Sequence, residues 1–286
     1  MKIIQKFELK AKQKRTNIGI GLGDSKYHNQ KILKACLNFL EQYKSNIYFF
    51  GKSDSMNNFL EQIRNSKTKL RVEFVECKNP EINIFNFLKN NTIHAIVRGS
   101  LSSNKFLENL KINLNVREIN RLALLETSSG HQFFYGPVGI DECNRLEDKI
   151  IFLEAAIKEL RRFNIIPKIS ILSGGRISDI GRDDKVDKTI EDANKIVKFL
   201  EIKYPNLMIS HDEILIEKAI ENKSNLIIAP DGISGNLIYR TLVHLGGGKA
   251  YGAIYMNLNS PIIDTSRVGK FSEIYGALLL AQALSE

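Results

Sequence analysis

The chain has 286 residues, 43% of them hydrophobic, and its 41 Lys and Arg against 32 Asp and Glu give a formal net charge of +9. This length suits two lobes that share a cleft, and the apolar content is sufficient for real cores, which excludes a disordered chain. The positive charge raises nucleic acid as a partner. However, lysines are interleaved with glutamates along most helical segments and no RNP-like string occurs, so an anionic small molecule is favoured.

The sequence shows no signal peptide and no apolar stretch of about eighteen residues, so we expect a cytoplasmic protein that does not engage a membrane. Cys36, Cys77 and Cys143 are widely spaced and form no CxxC pattern. We therefore expect reduced, mostly buried thiols rather than disulfides or a zinc site.

A repeated strand-then-helix pattern predicts an α/β fold with mostly parallel sheets flanked by helices. In the first part of the chain the predicted strands are 17–22, 47–50, 70–75 and 93–97, and the predicted helices are 29–43, 56–66 and 82–89. Two short strands, 121–126 and 132–135, interrupt the pattern and predict a β-hairpin.

The second part of the chain resumes the alternation with a long helix, 145–163, whose inward residues are predicted as Ile150, Ile151, Leu153, Ala156, Ile157 and Leu160. The further predicted strands are 168–172, 207–210, 226–228 and 251–255, and the further helices are 185–201, 213–222, 236–245 and 271–284. We expect two lobes, residues 1–118 with the C-terminal part and residues 119–260 with the hairpin region, and a ligand cleft between them.

The stretch 19–26, GIGLGDSK, resembles a dinucleotide fingerprint but fails its spacing, because the third glycine comes one residue too early. It also fails the P-loop pattern, since Lys26 lacks the required preceding glycine. Two alternatives stay open for this glycine-rich turn: a purely structural role, or close approach to a ligand phosphate.

Three further segments carry candidate anion-binding residues. A strand ends at Arg98 and Gly99, and Ser100 and Ser102 follow where a helix should start, an arrangement that binds anions, although a serine there can also serve as a helix cap. The loop after strand 168–172 contains Gly174, Gly175 and Arg176, which suit a phosphorylated ligand. Its nearby aspartates, Asp183, Asp184 and Asp187, are better explained as the first turn of a helix than as a metal site.

Two segments near the C-terminus complete the candidate site. The strand 226–228 is followed by Pro230 and Asp231, which stop it, and Gly235 and Asn236 are expected at the start of the next helix. Further on, Ser266 and Arg267 follow an apolar pair, and Glu273 lies in the first turn of the last predicted helix. A hydroxyl, a guanidinium and a carboxylate this close together can bind an oxyanion and move a proton.

Residues 165–286, with the motifs PDGISGN at 230–236 and DTSR at 264–267, resemble the phosphotransacetylase and phosphotransbutyrylase family. This resemblance implies the phosphotransacetylase and isocitrate dehydrogenase type of fold, with substrates in the cleft. It also implies that Ser266 and Arg267 orient an acyl phosphate, and that Glu273 replaces an aspartate proposed as general base. The chain departs from the family where Gly174, Gly175 and Arg176 replace the usual Ser-Thr pair.

The whole chain, including AIVRGSLSSNKF at 95–106 and ILSGGRISDIGRD at 171–183, is similar to the methanogenesis marker protein 4 family (MtxX). That family is named for a methyltransferase role in methanogenesis, which implies an archaeal transferase of methyl groups. Phosphate acyltransferase activity and a non-catalytic accessory subunit of a methyltransferase complex remain alternatives. The resemblance suits a coenzyme A-like or one-carbon-carrier cofactor, a small anionic substrate, complex subunits and a homodimer as partners.

Overall fold

A computed structural model of the chain describes residues 1–64 and 69–285, and the chain divides into two compact units. Unit 1 consists of Met1–Ile119 together with Ala250–Glu286, and unit 2 is the continuous segment Asn120–Lys249. In the part of the chain that the structure describes, no helix is long and apolar enough to cross a membrane.

Unit 1 alternates strands and helices as the hydrophobic periodicity predicts. Its elements are α1 (Ile3–Lys12), β1 (Asn17–Gly21), α2 (Lys26–Gln42), β2 (Asn46–Gly51), α3 (Ser53–Arg64), β3 (Val72–Glu76), α4 (Pro80–Lys89), β4 (Ala95–Val97), α5 (Ser103–Leu114), β10 (Lys249–Tyr255, whose first residue belongs to unit 2), β11 (Ile262–Asp264) and α10 (Phe271–Leu284). The strand order is β3-β2-β1-β4-β11-β10, and all neighbours are parallel except β10 and β11. This confirms the predicted mostly parallel α/β architecture for unit 1.

The core of unit 1 is built from helices that pack on its strands. Helices α4 and α5 contribute Ile84, Phe85, Phe106 and Leu110 to one buried apolar cluster, which Phe50 of β2 joins. Helix α10 contacts β1, β4 and β11 and is in turn covered by α1 and α2. Because α10 is covered in this way, it is apolar nearly all round rather than amphipathic.

Unit 2 begins with a hairpin and continues as α/β. Its elements are β5 (Arg121–Glu126), β6 (Gln132–Gly136), α6 (Leu146–Arg162), β7 (Lys168–Leu172), α7 (Asp184–Lys203), β8 (Met208–Glu213), α8 (Ile216–Glu221), β9 (Leu226–Ile228) and α9 (Gly232–Arg240), which runs into a π-helical turn, Thr241–Leu245. The strand order is β5-β6-β9-β7-β8, with β5 and β6 antiparallel and the other pairs parallel. The predicted hairpin is therefore confirmed.

Several local predictions need correction. Helix α1 was not predicted, and β11 was recognised only as an apolar pair. Helix α9 begins at Gly232 rather than at 236, because Asp231 already caps it. In α6, Ile151 is exposed and Ile150 only partly buried, whereas both were predicted to face inward. The last two residues of the predicted helix 56–66 lie outside the described residues.

The predicted states of the cysteines and of the aspartates at 183–187 agree with the structure. All three cysteines are free thiols, and Cys36 and Cys143 are buried. The Asp183 carboxylate accepts hydrogen bonds from the backbone N–H groups of Lys185 and Val186, so it caps α7. The Asp187 carboxylate accepts from the Gly181 N–H. Asp183 therefore satisfies backbone donors at the start of α7, and Asp187, in its first turn, satisfies a donor of the preceding loop.

Candidate functional site

A pocket of about 360 Å³ lies in unit 1 where five parallel strands end. It is lined by residues that follow β1 (22–25), β2 (Lys52), β3 (78–81), β4 (100–102 and Lys105) and β11 (Arg267). In the order β3-β2-β1-β4 the connections reverse direction between β1 and β4. A reversal of this kind opens a crevice at the carboxyl ends of the strands, which is where open α/β sheets bind ligands.

The pocket is predominantly basic. Four cations line it, Lys52, Lys78, Lys105 and Arg267, against two carboxylates, Asp24 and Glu81. The Lys52 ammonium lies 3.3 Å from the Asp24 carboxylate, but both side chains are exposed, so this ion pair is weak. Lys78, Lys105 and Arg267 form no ion pair with any described residue, so their charges can be used to bind an anion.

Helix N-termini add further hydrogen-bond donors to the pocket. Helices α2, α4 and α5 each begin beside pocket residues, at Lys26, Pro80 and Ser103. The first N–H groups of a helix point out of its N-terminus and favour negative charge there. Ser102 occupies the N-cap position of α5 but makes no side-chain capping bond, so the alternative that it serves only as a cap loses support.

Glycines allow the loop after β1 to lie directly against the loop after β4. A Cβ atom on Gly23 would come within 2.3 Å of the Ser100 carbonyl oxygen, and one on Gly99 within 2.1 Å of the Gly21 carbonyl oxygen. Gly99 also has a φ of +64°, a backbone conformation that residues other than glycine disfavour. The alternative that the 19–26 turn is structural is therefore supported, although part of the same turn also lines the pocket.

Ser100 joins these two loops to helix α2. Its hydroxyl accepts a hydrogen bond of 2.7 Å from the Gly23 N–H and donates one of 2.6 Å to the Asn29 carbonyl oxygen Oδ1. The Asn29 amide in turn donates to the Gly23 carbonyl oxygen. This closed network fixes the pocket wall before any ligand binds.

Arg98 does not line the pocket, contrary to its predicted role as a direct anion ligand. The residue is only 4% exposed, and its guanidinium donates to the Asp264 carboxylate and to the carbonyl oxygens of Leu101 and Thr265. These bonds connect the end of β4 to the segment that follows β11. Arg98 thus positions the segment that carries Ser266 and Arg267.

Glu273 secures the same segment from helix α10. The side chain is almost fully buried, and its Oε1 accepts a hydrogen bond of 2.6 Å from the Ser266 N–H. A Cβ atom on Gly269 would lie 2.7 Å from Oε2, so this glycine makes room for the carboxylate. The three residues predicted as catalytic are therefore neighbours, and Arg267 alone among them lines the pocket.

The predicted glycine-loop residues of unit 2 make contacts that support the local fold. The Gly174 N–H donates to the Thr189 hydroxyl, and a Cβ on Gly175 would lie 2.5 Å from the Val186 side chain. Both glycines therefore let the loop pack onto α7. The Arg176 side chain is exposed, and its backbone N–H donates to Asp179.

The predicted elbow residues of unit 2 likewise make structural contacts. The Asp231 carboxylate accepts from the Ser234 N–H at 2.8 Å and so caps α9. A Cβ on Gly235 would come within 1.9 Å of the Pro137 carbonyl oxygen. The Asn236 amide donates to the Val138 carbonyl oxygen at 2.8 Å. Their predicted role in substrate binding stays a prediction.

Sequence reasoning missed Lys52, Lys78 and Lys105 as site residues. Lysines occur along the whole chain, so none of them stood out by composition. Their common feature is position, because Lys52 and Lys78 follow β2 and β3 closely and Lys105 lies in the first turn of α5. Basic residues at the ends of predicted parallel strands were the signal that could have identified them.

Comparison with known proteins agrees with both resemblances seen in the sequence. A family model described as phosphate acetyl/butaryl transferase matches residues 10–282. A protein of Methanosarcina mazei named "Putative methyltransferase mtx subunit X" is 36% identical over 284 residues, which cover 99% of this chain and 95% of that protein. Both predicted resemblances are thereby confirmed.

Solved structures confirm the fold. A phosphotransacetylase from Streptococcus pyogenes superposes with a TM-score of 0.73 at 14% identity and covers 98% of this chain and 97% of its own. An isocitrate dehydrogenase from Methylococcus capsulatus superposes with a TM-score of 0.52 at 10% identity, over 93% of this chain and 85% of its own. At these identities the likeness extends to the fold alone.

Proposed function

The chain belongs to the phosphate acetyl/butaryl transferase family, and on this premise we propose that it is a transferase that binds a phosphate-bearing small molecule in the basic pocket of unit 1. The observation that carries the proposal is the position of Arg267. This residue lies in the DTSR motif that carries the resemblance, and it lines a pocket that also contains three lysines. The Arg267 side chain thus belongs both to the DTSR motif and to the lining of the basic pocket.

Arg267 supplies the principal phosphate contact in this proposal. A guanidinium binds two phosphate oxygens at once through its planar set of N–H donors, which a lysine cannot do. The N-terminus of α5 and the Ser102 hydroxyl add donors on the same side of the pocket. A phosphate bound there would therefore be held by charge and by oriented hydrogen bonds.

Glu273 and Arg98 hold Arg267 in place in this mechanism. The carboxylate of Glu273 fixes the Ser266 N–H, and the guanidinium of Arg98 fixes Asp264 and the Thr265 carbonyl oxygen. These contacts anchor the backbone directly before Arg267, so the place of this residue is set before the ligand binds. We retain Glu273 as the candidate general acid or base, because it is the ionisable group in contact with Ser266.

The name of the Methanosarcina relative favours a methyl group as the group transferred, in the metabolism of methanogens. The family model favours a second candidate, acyl transfer between an acyl phosphate and coenzyme A. In that reaction a thiolate sulfur bonds to the acyl carbon, and the bond to the phosphate oxygen breaks, so that phosphate leaves with the electron pair. The word subunit in the relative's name favours a third, an accessory role in a methyltransferase complex.

Titration calorimetry with inorganic phosphate tests the binding proposal on the wild type and on Arg267→Ala. We expect the variant to bind phosphate roughly tenfold or more weakly, since a hydrogen bond to a charged group contributes about 1.5–3 kcal/mol. Arg117→Ala is the matched control, because Arg117 is an exposed arginine of unit 1 that does not line the pocket. Equal affinity of the two variants would contradict the proposal.

Turnover assays separate the three candidate activities. Methyl transfer with methanogen one-carbon donors, and acetyl-coenzyme A formation from acetyl phosphate, are measured with wild type and Arg267→Ala. Phosphate binding with no turnover in either assay, combined with copurification of a methyltransferase, would favour the accessory role.

A further inference from the structure

The cations of the basic pocket form two groups along the row of strand ends. Arg267 follows β11 and Lys105 lies in the first turn of α5, which follows β4. Lys52 and Lys78 follow β2 and β3, on the other side of β1. One group of cations thus follows the strands on each side of β1.

The separation of the two groups follows from the geometry of the sheet. Neighbouring strands lie about 4.8 Å apart, so the three steps from β4 to β3 span roughly 14 Å. A single phosphate is far smaller than this separation of the strand ends. The pocket volume of about 360 Å³ is likewise within the range of sites for small organic ligands.

The acidic residues of the lining lie on the side of Lys52 and Lys78. Asp24 follows β1, in the middle of the row, and its carboxylate lies 3.3 Å from the Lys52 ammonium. Glu81 lies in the first turn of α4 and also lines the pocket. These carboxylates repel a continuous run of negative charge but accept hydrogen bonds from hydroxyl groups.

We propose that the pocket takes an elongated ligand with two phosphate groups separated by a neutral part, one phosphate at Arg267 and Lys105 and the other at Lys52 and Lys78. The first phosphate is the one assigned in the proposed function, so this inference rests on that function. The second subsite defines the ligand class as a bisphosphate with a hydroxyl-bearing or otherwise uncharged spacer. Inorganic phosphate or a short acyl phosphate fills only half of the pocket.

A length series of probes tests the second subsite. Titration calorimetry compares inorganic phosphate with the bisphosphates of ethanediol, butanediol, hexanediol and octanediol. We expect affinity to rise by about tenfold or more at the spacer length that bridges both groups of cations, because the second contact becomes intramolecular. Inorganic triphosphate, whose charges are continuous, should bind more weakly than the best bisphosphate.

Variants assign the gain to particular residues. Lys52→Gln combined with Lys78→Gln should lower the affinity for the best bisphosphate by a larger factor than the affinity for inorganic phosphate, and so remove the advantage of the long probe. Lys34→Gln combined with Lys31→Gln is the charge-matched control, since both lysines lie on α2 and do not line this pocket. Thermal unfolding midpoints establish that each variant is folded.

The outcomes separate the two proposals. If inorganic phosphate does not bind, or binds equally to Arg267→Ala, the proposed function fails. If inorganic phosphate binds through Arg267 but spacer length has no effect, or the Lys52 and Lys78 double variant keeps the full gain, the second subsite is wrong and the proposed function stands. Tighter binding of triphosphate than of every bisphosphate would overturn the neutral spacer.

Discussion

His28 is an ionisable residue buried in the wall of unit 1. The side chain belongs to the first turn of α2 and is 2% exposed, and neither ring nitrogen has a hydrogen-bond partner among the described residues. Burial is the main cause that lowers its pKa from 6.5 to about 4, and the nearby positive charges of Lys31 and Arg98 contribute to the same shift. The folded protein therefore holds this imidazole neutral.

Acid should destabilise the protein through His28. The unfolded chain binds a proton near pH 6.5 and the folded chain only near pH 4, so stability is lost as the pH falls through this window. The full loss attributable to this residue is about 3 kcal/mol. The free energy of unfolding is measured by urea titration from about pH 7 to about pH 4. It should depend less on pH in His28→Leu than in the wild type. Parallel curves for the two proteins would contradict the assignment.

Two substitutions of Glu273 distinguish its role in positioning Arg267 from a role as general acid or base. Glu273→Gln keeps an oxygen that accepts the Ser266 N–H, whereas Glu273→Ala removes it. Phosphate affinity measured by calorimetry should therefore survive the first change and fall in the second. Under the acid or base role, Glu273→Gln should also lower turnover by about a hundredfold or more; unchanged turnover would restrict Glu273 to positioning Arg267.

At the scale of elements, the start of α9 illustrates how a motif residue can serve the fold. Asp231 accepts the Ser234 N–H, while Gly235 and Asn236 keep the helix against the loop at 137–138. The sequence motif was correctly placed after a strand, but its contacts are with the protein itself. A substrate role for these residues needs evidence beyond the motif.

Substitution of Asp231 should affect stability rather than anion binding. Asp231→Ala removes the cap of α9 and should lower the free energy of unfolding by about 1 kcal/mol, whereas Asp231→Asn can still cap and should lose less. Urea titration measures both values. Phosphate affinity of both variants should equal that of the wild type, and a selective loss of affinity would instead support the predicted substrate role.

The elements that sequence reasoning found were those with strong local signals. Strand β9 and helix α10 were predicted with the observed bounds, since apolar runs and turn residues mark them. Helix α1 was missed because it buries chiefly Phe7 and Ala11 and carries several lysines, so its apolar face is narrow. Its place is decided by packing on α10, nearly the whole chain away.

At the scale of the whole molecule, the two units differ in the number of chain segments that form them. Unit 1 needs two segments that are distant in sequence, whereas unit 2 is one continuous stretch, Asn120–Lys249. Unit 2 has apolar residues of its own on β5, β6, α6 and α7, which include Leu124, Phe134, Leu153 and Ile196. A continuous segment with its own core meets the requirements of an independent domain.

The isolated segment 120–249 should fold by itself. We expect a cooperative urea transition, measured by circular dichroism, because four strand pairs, β5–β6, β6–β9, β9–β7 and β7–β8, lie within the segment. Inorganic phosphate should not raise its thermal midpoint, since the basic pocket belongs to unit 1. The full chain is the control, and phosphate stabilisation of the isolated segment would place an anion site in unit 2.

The sequence by itself determined the α/β class, the order of most strands and helices, and the family, because hydrophobic periodicity and short motifs depend on neighbours along the chain. Only the tertiary structure decided which candidate residues meet. Lys52, Lys78, Lys105 and Arg267 share one pocket because the strands pair in the order β3-β2-β1-β4-β11, which brings together ends that are up to about two hundred residues apart. The same pairing buried Arg98 and left Arg267 at the surface, a distinction that local sequence does not encode.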